Sequence, residues 1–219
     1  MSSEATDSDR KNFLPAAGHD LFLPLYDPFV RWMGFDRARQ ELISQANVKP
    51  EHHILDIGCG TGTLVMMLKR QYPQLQVTGL DPDPKALRRA KTKFTRSGIS
   101  MQLDQGFADE LPYEKCSFDR VFSSFMFHHL EDEQPEKTLK EAVRVLKPGG
   151  SFHWLDFTAD RAPDGFLDRL VQSHARLRDN KHERLLQLMT RAGFVNVEKT
   201  KDGSMLFGLL HSAYYRATV

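Results

Sequence analysis

One short stretch limits the folds open to this chain more than any other feature. It reads HILDIGCGTGTL over residues 53–64: an apolar run reaches an acidic residue, three glycines follow at alternate positions, and an apolar helical pattern resumes at Leu64. Glycine adopts positive φ without Cβ strain and lets a ligand lie directly against the backbone. The sequence therefore predicts a buried strand that turns tightly into a helix, with a ligand-contacting loop between them.

The spacing of the glycines argues against a dinucleotide site. Gly58, Gly60 and Gly62 form G-x-G-x-G, whereas the dinucleotide fingerprint is G-x-G-x-x-G, with its last glycine one position later. A dinucleotide site also places a pyrophosphate on the helix N-terminus, but the Asp56 carboxylate just before the loop favours a cationic group. The ligand is therefore expected to carry positive charge.

The octapeptide at residues 55–62 resembles motif I of class I S-adenosylmethionine-dependent methyltransferases. The resemblance implies S-adenosyl-L-methionine as the cofactor, with Asp56 near its amino group. It also implies that the methionyl part lies over the glycine loop, formed by Gly58, Cys59, Gly60 and Gly62. For Cys59, the role of a small residue beneath the cofactor is favoured over redox or nucleophilic chemistry.

A second acidic residue follows the loop at the distance expected for a ribose partner. The predicted strand at residues 76–80 ends at Asp81, about 20 residues after the loop, where an acidic side chain can receive both ribose hydroxyls. Residues 79–84 resemble the family's second acidic motif, which implies that Asp81 binds the ribose and Pro82 lies against the adenine face. Asp83 precedes a Pro and a helical run, so helix capping is favoured over ligand contact, and both roles are open.

Three further positions complete the expected cofactor site. Residues 105–112 resemble a family pattern in which an acidic residue stands two positions before Leu-Pro. The resemblance implies that Asp109 accepts a hydrogen bond from the adenine amino group and that the backbone amide at Ala108 bonds to ring nitrogens. Tyr26 resembles a common cofactor-side element of the family. Ser123 lies at the carboxyl end of a predicted strand, where the transferable methyl group is expected.

The resemblance implies in-line transfer of the activated methyl group to a small acceptor. A sulfonium is already a good leaving group, so positioning can supply about 7–11 kcal/mol of the barrier and a dedicated catalytic side chain is optional. If a base is needed, His128 and His129 lie nearest the expected methyl site, and imidazole titrates near neutrality. Of the two, His128 is the candidate catalytic residue; support of the following helix is the alternative role.

Apolar residues predict a lipophilic or aromatic acceptor. They are Phe22, Leu25, Phe29, Trp32, Phe125, Met126 and Phe127. The overall pattern resembles the ubiquinone and menaquinone C-methyltransferases and their unassigned relatives. The Asn-Pro-Pro-Tyr motif of nucleic-acid amino methyltransferases is missing at residues 123–126.

The order of predicted elements indicates an α/β fold. We expect a Rossmann-like, seven-stranded methyltransferase sheet, mostly parallel with an antiparallel last strand and with helices on both faces. Residues 1–12 are expected to form a disordered tail, 13–50 an N-terminal lid or edge helix that begins at Asp27, and 51–219 the cofactor-binding domain, with a helical insertion at about 160–180. A fifth strand is predicted from Ser151 and a terminal hairpin turn at Asp202-Gly203.

Composition restricts the other functions. Lys and Arg number 30 against 29 Asp and Glu, so the net charge of +1 gives no reason to expect nucleic-acid binding. Two cysteines cannot make a disulfide framework, and without H-E-x-x-H or C-x-x-C no metal site is expected. No apolar run approaches the ~20 residues of a membrane span and no secretory signal is visible, so a cytoplasmic location is expected. The oligomeric state is open.

Two alternative functions belong to other classes. One is a nicotinamide-dependent oxidoreductase, which the early third glycine and the lack of a Tyr-x-x-x-Lys pair disfavour. The other is a non-catalytic S-adenosylmethionine-binding module that serves a partner protein.

Overall fold

The computed structural model describes residues 34–131, 133–158, 182–205 and 210–219. In chain order the elements are α1 Phe35–Ser44, β1 His53–Ile57, α2 Thr63–Gln71, β2 Gln76–Asp81, α3 Pro84–Arg96, β3 Gln102–Gln105, β4 Phe118–Ser124, a 3-10 turn Phe127–His129, α4 Gln134–Val145, β5 Leu146–Phe157, α5 His182–Ala192, β6 Val195–Met205 and β7 Leu210–Thr218. Tyr26, the tail 1–12, most of the predicted N-terminal segment and the predicted insertion at 160–180 lie outside the described residues. No helix in the described part is both long and apolar enough to span a bilayer.

The strands form one seven-stranded sheet in the order β3-β2-β1-β4-β5-β7-β6. The strands from β3 to β5 pair in parallel, and β7 runs antiparallel to both of its neighbours, β5 and β6. The predicted fold class is confirmed. The strand order reverses between β1 and β4, so their carboxyl ends meet at the position where open α/β sheets bind ligands.

Alternation along β1 assigns its side chains to two apolar layers. Ile54 packs in one layer with residues of α1, α2 and α3, while Leu55 and Ile57 pack in the other with residues of α4 and α5. Successive side chains of a strand point to opposite faces, so Asp56 shares the face of Ile54. The acidic residue of the glycine motif therefore faces the layer that contains α1.

Helix α1 begins at Phe35, directly after Gly34, which has φ of 90°. The predicted helix from Asp27 therefore does not run unbroken through Gly34, and its residues before Gly34 lie outside the described residues. A left-handed glycine ends any preceding helical turn and resets the chain direction. From Phe35, the side chains of Ala38, Leu42 and Ile43 form the buried stripe that packs α1 on the sheet.

Strand β5 begins at Leu146, five residues before the predicted start at Ser151. Its pairing with β4 passes from Phe118–Leu146 directly to Arg120–Ser151, so the intervening Lys-Pro-Gly-Gly segment is accommodated as an irregularity in the register. Proline cannot donate to a ladder and glycine tolerates the bend, which is typical of a bulge. The Lys-Pro-Gly-Gly segment is thus a bulge within β5.

The prediction of a hairpin turn at Asp202-Gly203 is also wrong. Both residues lie inside β6, where Gly203 pairs with Ser212, and the strand continues to Met205. A Cβ at Gly203 would lie 2.6 Å from the Ser212 Oγ. The glycine therefore permits close approach of β7, which is one of the uses of glycine within a strand.

Candidate functional site

The glycine loop is folded back onto the end of β2. The N–H groups of Gly58 and Cys59 both donate to the Leu80 carbonyl, at 2.8 and 3.0 Å. The Gly62 N–H donates to the Cys59 carbonyl at 2.8 Å, and α2 starts one residue later. Backbone hydrogen bonds therefore fix both ends of the loop.

The three glycines are required for different reasons. A Cβ at Gly58 would lie 2.3 Å from Met126 Cγ, and one at Gly62 would lie 2.7 Å from the Phe94 ring, so neighbouring side chains need both positions bare. Gly60 has φ of 54°, and a Cβ added there would meet no atom within 4 Å, so its Cα faces open space. The middle of the loop is therefore the part against which a ligand can lie.

Asp56 lies beneath this loop as a buried acid. Its side chain is 1% exposed, and neither carboxylate oxygen has a hydrogen-bond partner among the described residues. Burial raises the pKa of Asp56 to about 8; Arg39 opposes the shift and the charge of Asp81 adds to it. A buried, unsatisfied acid is costly unless a cation or donor reaches it, so the position suits a positively charged ligand group.

Asp81 joins the glycine loop to the end of β2. Its Oδ2 accepts from the Gly60 N–H at 2.8 Å and its Oδ1 from the Asp83 N–H at 2.9 Å. Burial raises the pKa of Asp81 to about 6, against the lowering effect of these two amides. Each carboxylate oxygen has a second lone pair, so the group can still accept from hydroxyl donors.

The residues after Asp81 take up the favoured capping role. The Asp83 carboxylate accepts from the Lys85 N–H at 2.7 Å and caps α3, which has Pro84 at its first position. Pro82 is half-buried beside this cap, and its carbonyl accepts from the Gln105 side chain at 3.3 Å. The side chain of Asp83 is thus engaged with its own helix.

Ala108 and Asp109 lie half-buried in a loop that α4 holds in place. The Leu111 N–H donates to Glu141 at 2.7 Å, and Arg144 donates to the carbonyls of Leu111 and Tyr113 at 2.9 and 2.6 Å. Arg144 and Glu141 also pair with each other at 2.7 Å. No sequence pattern indicated these contacts of Glu141 and Arg144, because charged residues on an amphipathic helix usually form its solvent-exposed face.

Ser123 and its neighbour face opposite sides of the sheet. The Ser123 side chain is fully buried and its Oγ has no partner among the described residues. The Ser124 Oγ accepts from the Arg39 Nε at 3.3 Å. Arg39 of α1 is therefore a cation on the Ser124 side of the sheet, which no sequence signal indicated.

The Cys59 side chain points away from the open face of the loop. Its Sγ would lie 2.9 Å from a Cβ at Gly79, so the thiol fills the space that this glycine leaves. Burial raises the pKa of the Cys59 thiol. A neutral, buried thiol is a poor nucleophile, which supports the packing role that the sequence favours.

The segment after β4 packs against the glycine loop through Met126 and carries His128 two residues later. Phe125 adopts φ of 57°, and its ring packs 4.7 Å from Phe35 and 5.1 Å from Phe157 between ring centroids. Met126 packs against Gly58, as described above, and the 3-10 turn follows. His128 Nδ1 lies 2.7 Å from an Asp156 carboxylate oxygen, and the two side chains are 12% and 1% exposed.

Hydrogen bonds join several of the predicted site residues into one group. Hydrogen bonds connect the loops that carry Gly58, Cys59, Gly60, Asp81 and the 106–113 segment, since the Gly106 N–H also donates to the Asp81 carbonyl at 3.3 Å. Asp156 was missed, although an acidic residue at the carboxyl end of an apolar strand is the same signal that indicated Asp56 and Asp81. Within the described ranges, no three His, Cys, Asp or Glu side chains are placed to hold a metal ion.

Comparison with known proteins agrees with this geometry. Residues 54–150 match the family model described as "Methyltransferase domain". The chain is 36% identical over 137 residues to the demethylmenaquinone methyltransferase of Thermus thermophilus, and the match covers 61% of each protein. The chain therefore spans less than two thirds of the length of that relative.

Two solved structures share the fold at low sequence identity. A SAM-dependent methyltransferase from Aquifex aeolicus aligns with a TM-score of 0.69 and 20% identity, over 90% of this chain and 97% of that one. The cyclase SpnF aligns with a TM-score of 0.69 and 20% identity, over 84% and 80%. Such likenesses show the fold alone. The match over residues 54–150 is to a methyltransferase domain, and the glycine motif within that range resembles motif I of the class I S-adenosylmethionine-dependent methyltransferases.

Proposed function

We propose that this chain is a methyltransferase that acts on a small, apolar or aromatic acceptor. When bound, S-adenosylmethionine supplies a methyl group that is already activated because it is attached to a sulfonium sulfur. The residues of the chain bind it, orient the acceptor, exclude water and accept a proton where the acceptor releases one.

One observation carries the proposal. Asp56 is a buried acid whose carboxylate oxygens have no partner among the described residues, and it lies beneath a glycine loop with an open middle position. Asp81 stands at the neighbouring strand end, bonded to that same loop. This combination fits a ligand that carries a cation next to a ribose.

We assign the cofactor contacts as follows. Asp56 faces the cationic amino acid part, the loop from Gly58 to Gly62 lies beneath it, and Asp81 accepts from the ribose hydroxyls. Pro82 lies against the adenine face, with Ala108 and Asp109 at the ring edge. Ser123 contributes backbone, Tyr26 a side chain from outside the described residues, and His128 acts as the base.

The acceptor follows from the apolar rings near this edge and from the relatives. Phe125 packs with Phe35 and Phe157 on the α1 side of the site. The Thermus relative is named for a quinone substrate, demethylmenaquinone. A ring-bearing lipophilic acceptor is therefore the class we propose, with no nucleic acid as substrate.

Calorimetry and an acceptor assay test the proposal in two steps. Titration with S-adenosylmethionine should release heat, whereas titration with NAD should not; heat with NAD alone would make the chain an oxidoreductase. Methyl-labelled cofactor is then incubated with demethylmenaquinol and with a cell lipid extract, and S-adenosylhomocysteine is measured. Cofactor binding without turnover in any extract would instead support the non-catalytic module that serves a partner.

A further inference from the structure

The carboxylate of Asp156 is the centre of a hydrogen-bond cluster beside the proposed methyl site. It accepts from the backbone N–H of Phe157 at 2.8 Å and from the backbone N–H of His128 at 3.2 Å. The third partner is the His128 ring, whose Nδ1 lies 2.7 Å away. With 1% of its side chain exposed, Asp156 is held in one orientation at the end of β5.

This arrangement determines which ring nitrogen of His128 carries the proton. An ionised carboxylate can only accept hydrogen bonds, so the proton between the two side chains belongs to Nδ1. The neutral ring then keeps its lone pair on Nε2. No described residue bonds to Nε2, and the ring is held by packing against His129 at 4.0 Å and Phe157 at 5.0 Å between centroids.

His128 belongs to the segment that packs against the glycine loop. His128 follows Met126 by two residues, and Met126 packs directly against Gly58 of the cofactor loop. A buried acid behind a histidine also favours the imidazolium that forms when the ring accepts a proton. A histidine that only supported the helix start would not need an acid so placed.

We propose that Asp156 is a positioning residue that fixes the Nδ1–H tautomer of His128, so that Nε2 accepts a proton from the methyl acceptor. The inference rests on the proposed methyltransferase function. It adds that the acceptor bears a proton that is lost on methylation, which thioethers and tertiary amines lack.

The atoms and electrons of the step balance. The acceptor's X–H bond breaks and its proton moves to Nε2, while the electron pair left on the acceptor forms the new bond to the methyl carbon. The pair of the former carbon–sulfur bond remains on sulfur as a thioether. The imidazolium is held against Asp156 until it returns the proton to water.

The first test uses the protein without ligands. Histidine-selective ¹⁵N labelling and NMR should show His128 protonated at Nδ1 and bare at Nε2 above neutral pH. In Asp156→Asn the Nδ1–H tautomer should no longer be fixed, because an amide can donate to Nδ1 as well as accept from it. His129→Gln is the matched control and should keep the Nδ1–H tautomer. A bare Nδ1 in the wild type would overturn the inference.

The second test separates a base from a structural contact. With demethylmenaquinol as acceptor, Asp156→Asn and His128→Gln should each lower kcat by about 100-fold or more with little change in KM. In Asp156→Asn the loss of kcat should accompany loss of the Nδ1–H tautomer in the NMR spectrum. A loss of kcat with the Nδ1–H tautomer intact would assign Asp156 a structural role and contradict the inference.

A double-mutant cycle guards against misfolding of the single variant. If Asp156 acts through His128, Asp156→Asn should have almost no further effect on kcat in the His128→Gln background. Additive losses would contradict the inference. A wild type that transfers methyl groups to no acceptor would end the proposed function, while the NMR result would still decide the tautomer.

Discussion

Asp56→Asn tests the buried acid beneath the glycine loop. In the folded protein the pKa of this group is about 8, against an ordinary value of 3.8. Between these two values the unfolded chain has lost a proton that the folded protein retains, so stability falls as pH rises through this window. Each pH unit removes about 1.4 kcal/mol, so Asp56 should cost the fold about 3 kcal/mol between pH 5 and pH 7.

The asparagine side chain has nearly the same shape and no such proton. Urea unfolding at pH 5, 6 and 7 should therefore show that the variant gains stability relative to the wild type as pH rises. Glu51→Gln, an exposed carboxyl two residues before β1, is the matched control and should follow the wild-type curve. A wild-type slope that survives in Asp56→Asn would refute the reasoning, because the group would then be ionised in the fold.

Cofactor binding should release the proton that Asp56 holds in the ligand-free protein. At pH 7 a group with a pKa of about 8 is mostly protonated, and a cation placed against it favours the ionised form. Calorimetry in buffers of different ionisation enthalpy should detect release of about one proton for each S-adenosylmethionine bound. Asp56→Asn should release none and bind more weakly by about 1–3 kcal/mol; unchanged affinity would remove Asp56 from the site.

Two further substitutions test the proposed ribose partner and the open glycine. Asp81→Asn should weaken cofactor binding by about 1–3 kcal/mol because a charge-assisted acceptor is lost. Wild-type affinity should fall more steeply below pH 6, where Asp81 with its pKa of about 6 takes up a proton in addition to Asp56, and calorimetry from pH 5 to 8 should show that Asp81→Asn lacks this added dependence. Gly60→Ala and Gly98→Ala, at φ of 54° and 64° with open space around both, should each cost about 1 kcal/mol of stability in urea unfolding. Only Gly60→Ala should weaken cofactor binding, by ~10-fold or more, and equal affinities would mean that no ligand lies against Gly60.

The sequence predicted the parts of the site that the backbone alone determines. The glycine loop and the acid at the end of β2 are local patterns: strand, turn and cap follow from residues close together in the chain. Asp83 illustrates this, since a carboxyl before Pro84 predicts a helix cap and the structure contains it. The fold class followed in the same way from the order of such units.

The parts of the candidate site that the sequence did not predict depend on contacts between residues far apart in the chain. Arg39 reaches Ser124 across 85 positions of the chain, and Arg144 braces a loop some thirty residues away, at separations of 31 and 33. No spacing rule connects such pairs. The hairpin turn failed at Gly203 for a related reason: a glycine can serve a turn or a close approach between strands, and only the partner strand distinguishes them.

Phe125 has a consequence for how the protein folds. Its left-handed backbone costs about 1–2 kcal/mol, which contacts with Phe35 and Phe157 and the Arg39 guanidinium 5.3 Å above its ring must offset. Two of these three contacts come from α1, so the bend is favourable only once that helix has docked. The Phe125 segment and α1 should consequently form and melt as one cooperative unit, late in folding and early in local unfolding.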